Sequence, residues 1–348
     1  MYSNKDIYVD DLNYISNLNL PWHQLNNSTI LVTGATGMIG TFLIDSLLYK
    51  SNQENLNITI YALGRNEHRA QDRFKEYYNQ DNFIFIKQDV NEPFTFNYPV
   101  DYIFHCASNT HPKQYSTDPI GTITTNILGT KNILDYAINN QTKKVVFLSS
   151  VEIYGENRGD VDQFDEQYCG YIDCNTLRAG YPEGKRAGEA LCQAYLEKYD
   201  LDIVIPRICR VYGPTLLDSD TKALTQFIKN AVNKEDIVLK SEGNQYYSYC
   251  HVTDVISALL YSLFKGIKGQ AYNVADEDSD IHLKDLAALL AKYSNTKVIF
   301  DLPDETERKG FSKATKALLN SNKMKDLGWS CKYNIETGLE ETLLFLTK

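Results

Sequence analysis

The segment Thr29-Ile-Leu-Val-Thr33-Gly34-Ala-Thr-Gly37-Met-Ile-Gly40 is where this sequence first commits to an architecture. Its first five residues are apolar or β-branched, in a run short enough for a buried strand. Glycines at 34, 37 and 40 follow at once, and then Ile39, Phe42, Leu43 and Leu47 keep helical spacing. Strand, glycine turn and helix in that order let the backbone approach a pyrophosphate, with the helix N-terminus presenting free N–H groups to the anion. The reading is a dinucleotide site, with Gly34, Thr36, Gly37, Met38 and Ile39 at the cofactor.

Working outward, further strands are expected at 58–63, 83–87, 101–108, 144–149 and 202–206, with helices at 119–139 and 181–199. Such alternation predicts an α/β fold, a doubly wound (Rossmann) parallel sheet. After Arg207 it fades. Helices are expected at 221–232, 251–264, 283–293, 313–327 and 335–346, with a short strand at 237–240. These segments predict a smaller lobe closing over the strand ends. The division is an extension at 1–27, a dinucleotide-binding domain at 28–206 plus about 248–266, and a lobe at 207–247 and 267–348. The extension, with a helix at 10–18 and an anchor at Leu20-Pro21-Trp22, is assigned no chemistry.

Ligands of open α/β sheets bind at the carboxyl ends of the strands, and that is where the polar residues gather. The second strand ends in Leu63-Gly64-Arg65-Asn66, without the acid that would hold the 2′-hydroxyl of NAD. Arg65 suits a 2′-phosphate, an adenine face or solvent, which leaves NAD and NADP both open. Asp89-Val90 is a plausible contact with the adenine edge, and Ala107-Ser108 are small enough for a cofactor backbone to pass. The loop from Asn109 to Tyr115 and the run Ser149-Ser150-Val-Glu152 lie at the same edge. In Arg178-Ala-Gly-Tyr181-Pro-Glu-Gly-Lys185-Arg186 a tyrosine and a lysine four apart share a helix face. A neighbouring ammonium and the helix dipole are expected to favour the phenolate, making a proton-transfer centre.

Composition narrows the class. The 348 residues are 43% hydrophobic and 23% charged, as in an ordinary globular protein with a sizeable core. With 35 basic and 45 acidic residues, net charge −10, and no Lys/Arg run, nucleic acid is an unexpected partner. Seven scattered cysteines suggest reduced thiols in a cytoplasm, and no second Cys/His pair completes a zinc site with Cys169 and Cys174. No signal-peptide core and no run near the ~20 apolar residues of a membrane span is visible.

With these residues in hand, positions 28 to 346 resemble an extended short-chain dehydrogenase/reductase of the nucleotide-sugar epimerase and dehydratase family. The motifs that carry the likeness are the glycine turn, Asp89-Val90, Asn126-x-x-Gly129-Thr130, Ser149-Ser150 before Tyr154-Gly155, Tyr181-x-x-x-Lys185, and Arg207 before Val211-Tyr-Gly-Pro214. Within the family, Ala107-Ser108 with Pro112 and Tyr115, the run from Asp118 to Asn126, Arg178 to Arg186, Ser248 to Asp254, and Arg308-Lys309 are most similar to UDP-glucuronate decarboxylases. The leading residues and Leu63-Gly64-Arg65 resemble a looser group of bacterial surface-sugar enzymes. Tyr247 stands where those decarboxylases usually carry an arginine near the substrate diphosphate.

The resemblance implies oxidation of a nucleotide-diphosphate sugar at C4. Tyr181 takes the hydroxyl proton, Lys185 holds the nicotinamide ribose and keeps the tyrosine acidic, and Ser150 shares in the transfer. Asn126 and Ser149 join the cofactor set. Asn109, Tyr115, Ser150, Glu152, Arg207, Lys222, Tyr247 and Arg308 form the substrate set, with Arg308 near C5 or clamping the diphosphate. Glu152 points to C5/C6 chemistry, decarboxylation or 4,6-dehydration. The alternative is an NADP-dependent 4-ketoreductase or a 4-epimerase, and a remote one is a non-catalytic dinucleotide-binding regulator. A homodimer built on the 119–139 and 181–199 helices is implied by the same likeness.

Overall fold

The computed structural model describes residues 6–110, 112–302 and 315–347. In chain order its elements begin with α1 (Asp6–Ser16), β1 (Thr29–Thr33), α2 (Met38–Glu54), β2 (Thr59–Gly64), α3 (Glu67–Arg73) and β3 (Phe83–Lys87). Then come β4 (Tyr102–His105), α4 (Pro112–Thr117), α5 (Pro119–Asn139), β5 (Lys144–Phe147), β6 (Ser149–Ser150), α6 (Gly180–Tyr199), β7 (Ile203–Ile208) and β8 (Arg210–Tyr212). The remainder contains α7 (Ala223–Val232), β9 (Ile237–Leu239), β10 (Tyr246–His251), α8 (Val252–Lys265), β11 (Ala271–Val274), β12 (Asp276–His282), α9 (Leu283–Ser294), β13 (Val298–Phe300) and β14 (Lys316–Ala317). A short helix Asn322–Lys325 and a final helix Ile335–Thr347 close the chain.

The main sheet runs β11-β7-β5-β4-β1-β2-β3, with β6 paired to β7, and its pairings are parallel. Buried Ile30, Leu31 and Val32 in β1 and Val145, Val146 and Phe147 in β5 explain the near-continuous apolar strands, since helices cover both faces. Strand order reverses between β1 and β4, and that switch point opens the crevice where an α/β sheet takes its ligand. Gly34 sits there at φ +65, and a Cβ on it would lie 2.9 Å from the Ala107 backbone. Gly40 is equally confined, because its Cβ would meet the Gly34 carbonyl oxygen at 2.5 Å.

The second sheet differs from expectation. It joins β12, β10, β14 and β8, and neither β10 nor β12 stands out in the sequence. Residues 313–327 were expected to be one helix. Of those that are described, Lys316–Ala317 instead pair with Tyr246–Tyr247, Leu319 N donates to Ser248 Oγ at 3.0 Å, and only Asn322–Lys325 are helical. Strand β11, counted with the lobe by the sequence reading, lies at the edge of the main sheet beside β7. The extension is part of the core. Tyr8 donates to Asp45 Oδ2 at 2.6 Å, Lys332 reaches Asp11 at 2.8 Å, and Trp22 packs edge-on against Phe264.

Candidate functional site

A cleft of about 1570 Å³ runs from the β1/β4 switch point to the second sheet. That exceeds the ~300–1,000 Å³ of a typical small-ligand pocket, leaving room for two ligands end to end. Gly34, Thr36, Gly37, Met38, Ile39, Arg65, Asp89, Val90, Ala107, Ser108 and Ser149 line one part. Gly37 is the N-cap of α2 and no side chain caps that end, so its first N–H groups are available to an anion. The donor set and the glycine cradle fit a dinucleotide. At the outer end, Arg65 Nη1 lies 3.6 Å from Asp89 Oδ2, both partly exposed.

Ser150, Glu152, Tyr181 and Lys185 meet at the centre of the cleft. Ser150 closes β6, and its Oγ accepts from Glu152 N at 3.2 Å as the chain turns. Tyr181 lies in the first turn of α6, which begins one residue earlier than expected, at Gly180. Burial pushes its phenol up to about 12, against a hydrogen bond to Ser150, and the Glu152 charge pushes the same way as burial. Lys185 departs from expectation. It is not among the groups holding the phenol down, its Nζ donates to the Leu148 carbonyl at 2.7 Å, and burial lowers it to about 8. Without a further positive charge in the cleft, Tyr181 keeps its proton at neutral pH.

Tyr115 is buried and stacks on Tyr181 with centroids 5.3 Å apart, and Arg178 lies 5.4 Å over the Tyr115 ring. Glu152 is held at both oxygens: Arg178 Nη2 is 3.0 Å from Oε2, and Arg210 Nη2 is 3.6 Å from Oε1. The Arg210 guanidinium lies 3.4 Å from the centroid of the Tyr247 ring, so a positive charge stands beside this position although residue 247 is a tyrosine. Asn109 and Lys222 line the opposite flank, where Lys222 Nζ donates to Thr110 Oγ1 at 3.3 Å and lies 3.5 Å from Asp220.

Two assigned residues do other work. Arg207 points away from the cleft. It pairs with Glu189 at 2.7 Å and donates to the Tyr154 hydroxyl at 2.9 Å and the Glu166 carbonyl at 2.7 Å. Asn126 is buried behind the cleft, where its Oδ1 accepts from Ser108 Oγ at 2.8 Å, so it positions a lining residue instead of lining. Arg308 lies outside the described residues. Arg178 and Arg210 were not singled out as site residues. Arg210 is three residues beyond Arg207, which on one continuous strand means opposite faces. With Arg207 turned toward α6 to meet Glu189, the same alternation puts Arg210 on the cleft side.

The model of the NAD dependent epimerase/dehydratase family matches residues 30–275. UDP-glucuronic acid decarboxylase 6 of Arabidopsis thaliana is 30% identical over 319 residues, 90% of this chain and 87% of that protein. The UDP-glucose 4-epimerase of Thermotoga maritima, solved with UDP-glucose, superposes with a TM-score of 0.78 at 23% identity, over 91% of this chain and 98% of that one. The UDP-glucuronic acid 4-epimerase of Bacillus cereus, solved with UDP-glucuronic acid and NAD, gives 0.76 at 22% identity over the same shares. At those identities the two structures speak for the fold alone. The glycine turn, the parallel sheet, the family match and the full-length relative converge, and the chain belongs to the NAD-dependent epimerase/dehydratase family.

Proposed function

We propose that this protein uses NAD to oxidise a nucleotide-diphosphate sugar at C4, and that the resulting ketone drives decarboxylation or 4,6-dehydration, with a uronate as the favoured substrate. The observation that carries the reading is Tyr181, Ser150 and Glu152 converging at the end of a dinucleotide cleft in a chain 30% identical to a UDP-glucuronic acid decarboxylase. NAD is preferred over NADP because the Asp89 carboxylate beside Arg65 opposes a 2′-phosphate.

When bound, an oxidised nicotinamide supplies the reversible oxidation at C4 and a positive charge in the cleft. Tyr181 Oη accepts the C4 hydroxyl proton, and a nearby positive charge brings its high affinity for that proton down to a useful range. Ser150 Oγ hydrogen-bonds the C4 oxygen. Lys185 Nζ holds the nicotinamide ribose. Once C4 is a ketone, a C6 carboxylate is a β-keto acid. The C5–C6 electron pair then moves toward the ketone as carbon dioxide leaves, and C5 takes a proton. That route needs no base to open C5, which suits a Glu152 engaged by an arginine at each oxygen.

A cytoplasmic homodimer supplying sugars for a surface polysaccharide completes the reading. The α5 and α6 helices pack together, and exposed Ile120 and Leu128 on α5 support a helical interface. No helix among the described residues is long and apolar enough to cross a membrane. The test is a panel of UDP-, dTDP-, CDP- and GDP-sugars read by product mass. Loss of about 44 mass units means decarboxylation, loss of about 18 means dehydration, and no change means epimerisation. One-for-one consumption of NADPH would sink the proposal in favour of a ketoreductase.

A further inference from the structure

Glu152, Arg178, Arg210 and Tyr247 form a cluster that neither cofactor binding nor proton transfer explains. One carboxylate faces two guanidiniums, which leaves the group one positive charge in excess. Arg210 spends Nη2 on Glu152 and lays its plane over Tyr247, which fixes the fork's direction. Its Nη1 is buried and finds no hydrogen-bond partner among the described residues. A guanidinium N–H left so is costly, and a small shift of the partly exposed Arg210 side chain toward an anion in the cleft would relieve it.

Position selects which anion. The cluster adjoins the groups that hold the C4 oxygen, since Glu152 N donates to Ser150 Oγ and Arg178 lies over the ring stacked on Tyr181. In a pyranose, C4 lies across the ring from C1, which bears the diphosphate, while C5 and its C6 branch are neighbours of C4. The other neighbour of C4, C3, carries only a neutral hydroxyl, so the anion within reach of a cation beside the C4 holders is a C6 carboxylate. We infer that Arg210, steered by Tyr247 and Glu152, is a carboxylate-reading subsite that selects nucleotide-diphosphate sugars oxidised at C6.

This inference rests on the nucleotide-sugar reading above, and the experiment separates the two. Titrate the full chain carrying Tyr181→Phe, which slows turnover by about 10²–10⁴-fold, with UDP, UDP-glucose and UDP-glucuronate by calorimetry, and repeat with Arg210→Met and Arg210→Lys added. UDP-glucuronate should bind about tenfold or more tighter than UDP-glucose, the size of one hydrogen bond to a charged group. Arg210→Met should erase that preference by weakening UDP-glucuronate alone, and Arg210→Lys should restore part of it. Equal weakening of all three ligands by Arg210→Met would make Arg210 a diphosphate contact and overturn the inference, as would an undiminished preference. If Arg210→Met fails to fold, an Arg210→Lys protein that discriminates as strongly as its parent also overturns it. If no UDP ligand binds, the series is repeated with dTDP, CDP and GDP in place of UDP, and binding in none of the four overturns the nucleotide-sugar reading as well.

Discussion

The cleft has two walls made in different ways. The wall at Gly34–Ile39 comes from one unbroken stretch, in which strand, turn and helix follow each other within a dozen residues. The wall at Arg210 and Tyr247 is assembled from β8, β10, β12 and β14, whose residues range from Arg210 to Ala317. The first wall presents backbone N–H groups, which only a substitution to proline removes, and it suits a cofactor shared by a whole family. The second presents side chains held by other side chains. Ser248 Oγ donates to Asp280 at 2.5 Å, and Arg210 depends on Glu152 and Tyr247. Such a wall can change its ligand by single substitutions. The contrast teaches that chemistry and specificity are separable here, with Tyr181 at the seam.

The sharpest way to break that separation is at the seam itself. Tyr181→Phe should lower turnover by about 10²–10⁴-fold while cofactor affinity measured by titration stays unchanged. Loss of cofactor binding instead would mean that the tyrosine belongs to the first wall. Next in size is Arg207→Met. It leaves Glu189 buried without its partner and should cost about 3–5 kcal/mol in denaturant unfolding, with KM for the sugar nucleotide unmoved in the surviving fold. A raised KM at full stability would return Arg207 to the substrate set.

A smaller effect tests the first wall. Gly34→Ala forces a side chain into φ +65 against the Ala107 backbone, a strain of about 1–3 kcal/mol, and NAD binding should weaken at least in proportion. The smallest concerns Asp45 on α2, where Tyr8 of the extension meets that helix. Burial lifts Asp45 from its ordinary 3.8 to about 7, so the folded protein holds a proton that the unfolded chain releases. This stabilisation is complete below pH 3.8 and is lost as pH rises through about 7. Asp45→Asn should flatten the fall in unfolding free energy between about pH 4 and 7. An unchanged slope would show that other groups carry it.

What could be read from the sequence follows the same division. Most of the main sheet was legible because its strands are short apolar runs, and β1, β2 and β5 lead to Gly34, Gly64 and Ser149. Helix 119–139 matched α5 residue for residue at its ends. The second sheet was illegible for a physical reason. Tyr247-Ser-Tyr-Cys-His251 is buried throughout, so it shows no alternation of apolar and polar residues. Asp276 to His282 is acidic and reads as a loop, yet it becomes a strand because Ser248 meets Asp280 and the chain pairs with β10. The residues around Tyr181 were found by spacing. The state of its proton was not, because burial outweighs the helix dipole and Lys185 turns to Leu148. Arg210 was hidden by the placing of Arg207 at the substrate, since alternation then turns Arg210 away from it.

The central claim is that a uronate is decarboxylated through a C4 ketone that is reduced again within the same turnover. UDP-glucuronate carrying deuterium at C4 tests it directly, with the product examined by NMR and mass spectrometry. The account predicts that the product has lost carbon dioxide and keeps its deuterium at C4, with no net change in NAD. Deuterium lost from C4, whether to water or to released reduced cofactor, would contradict it.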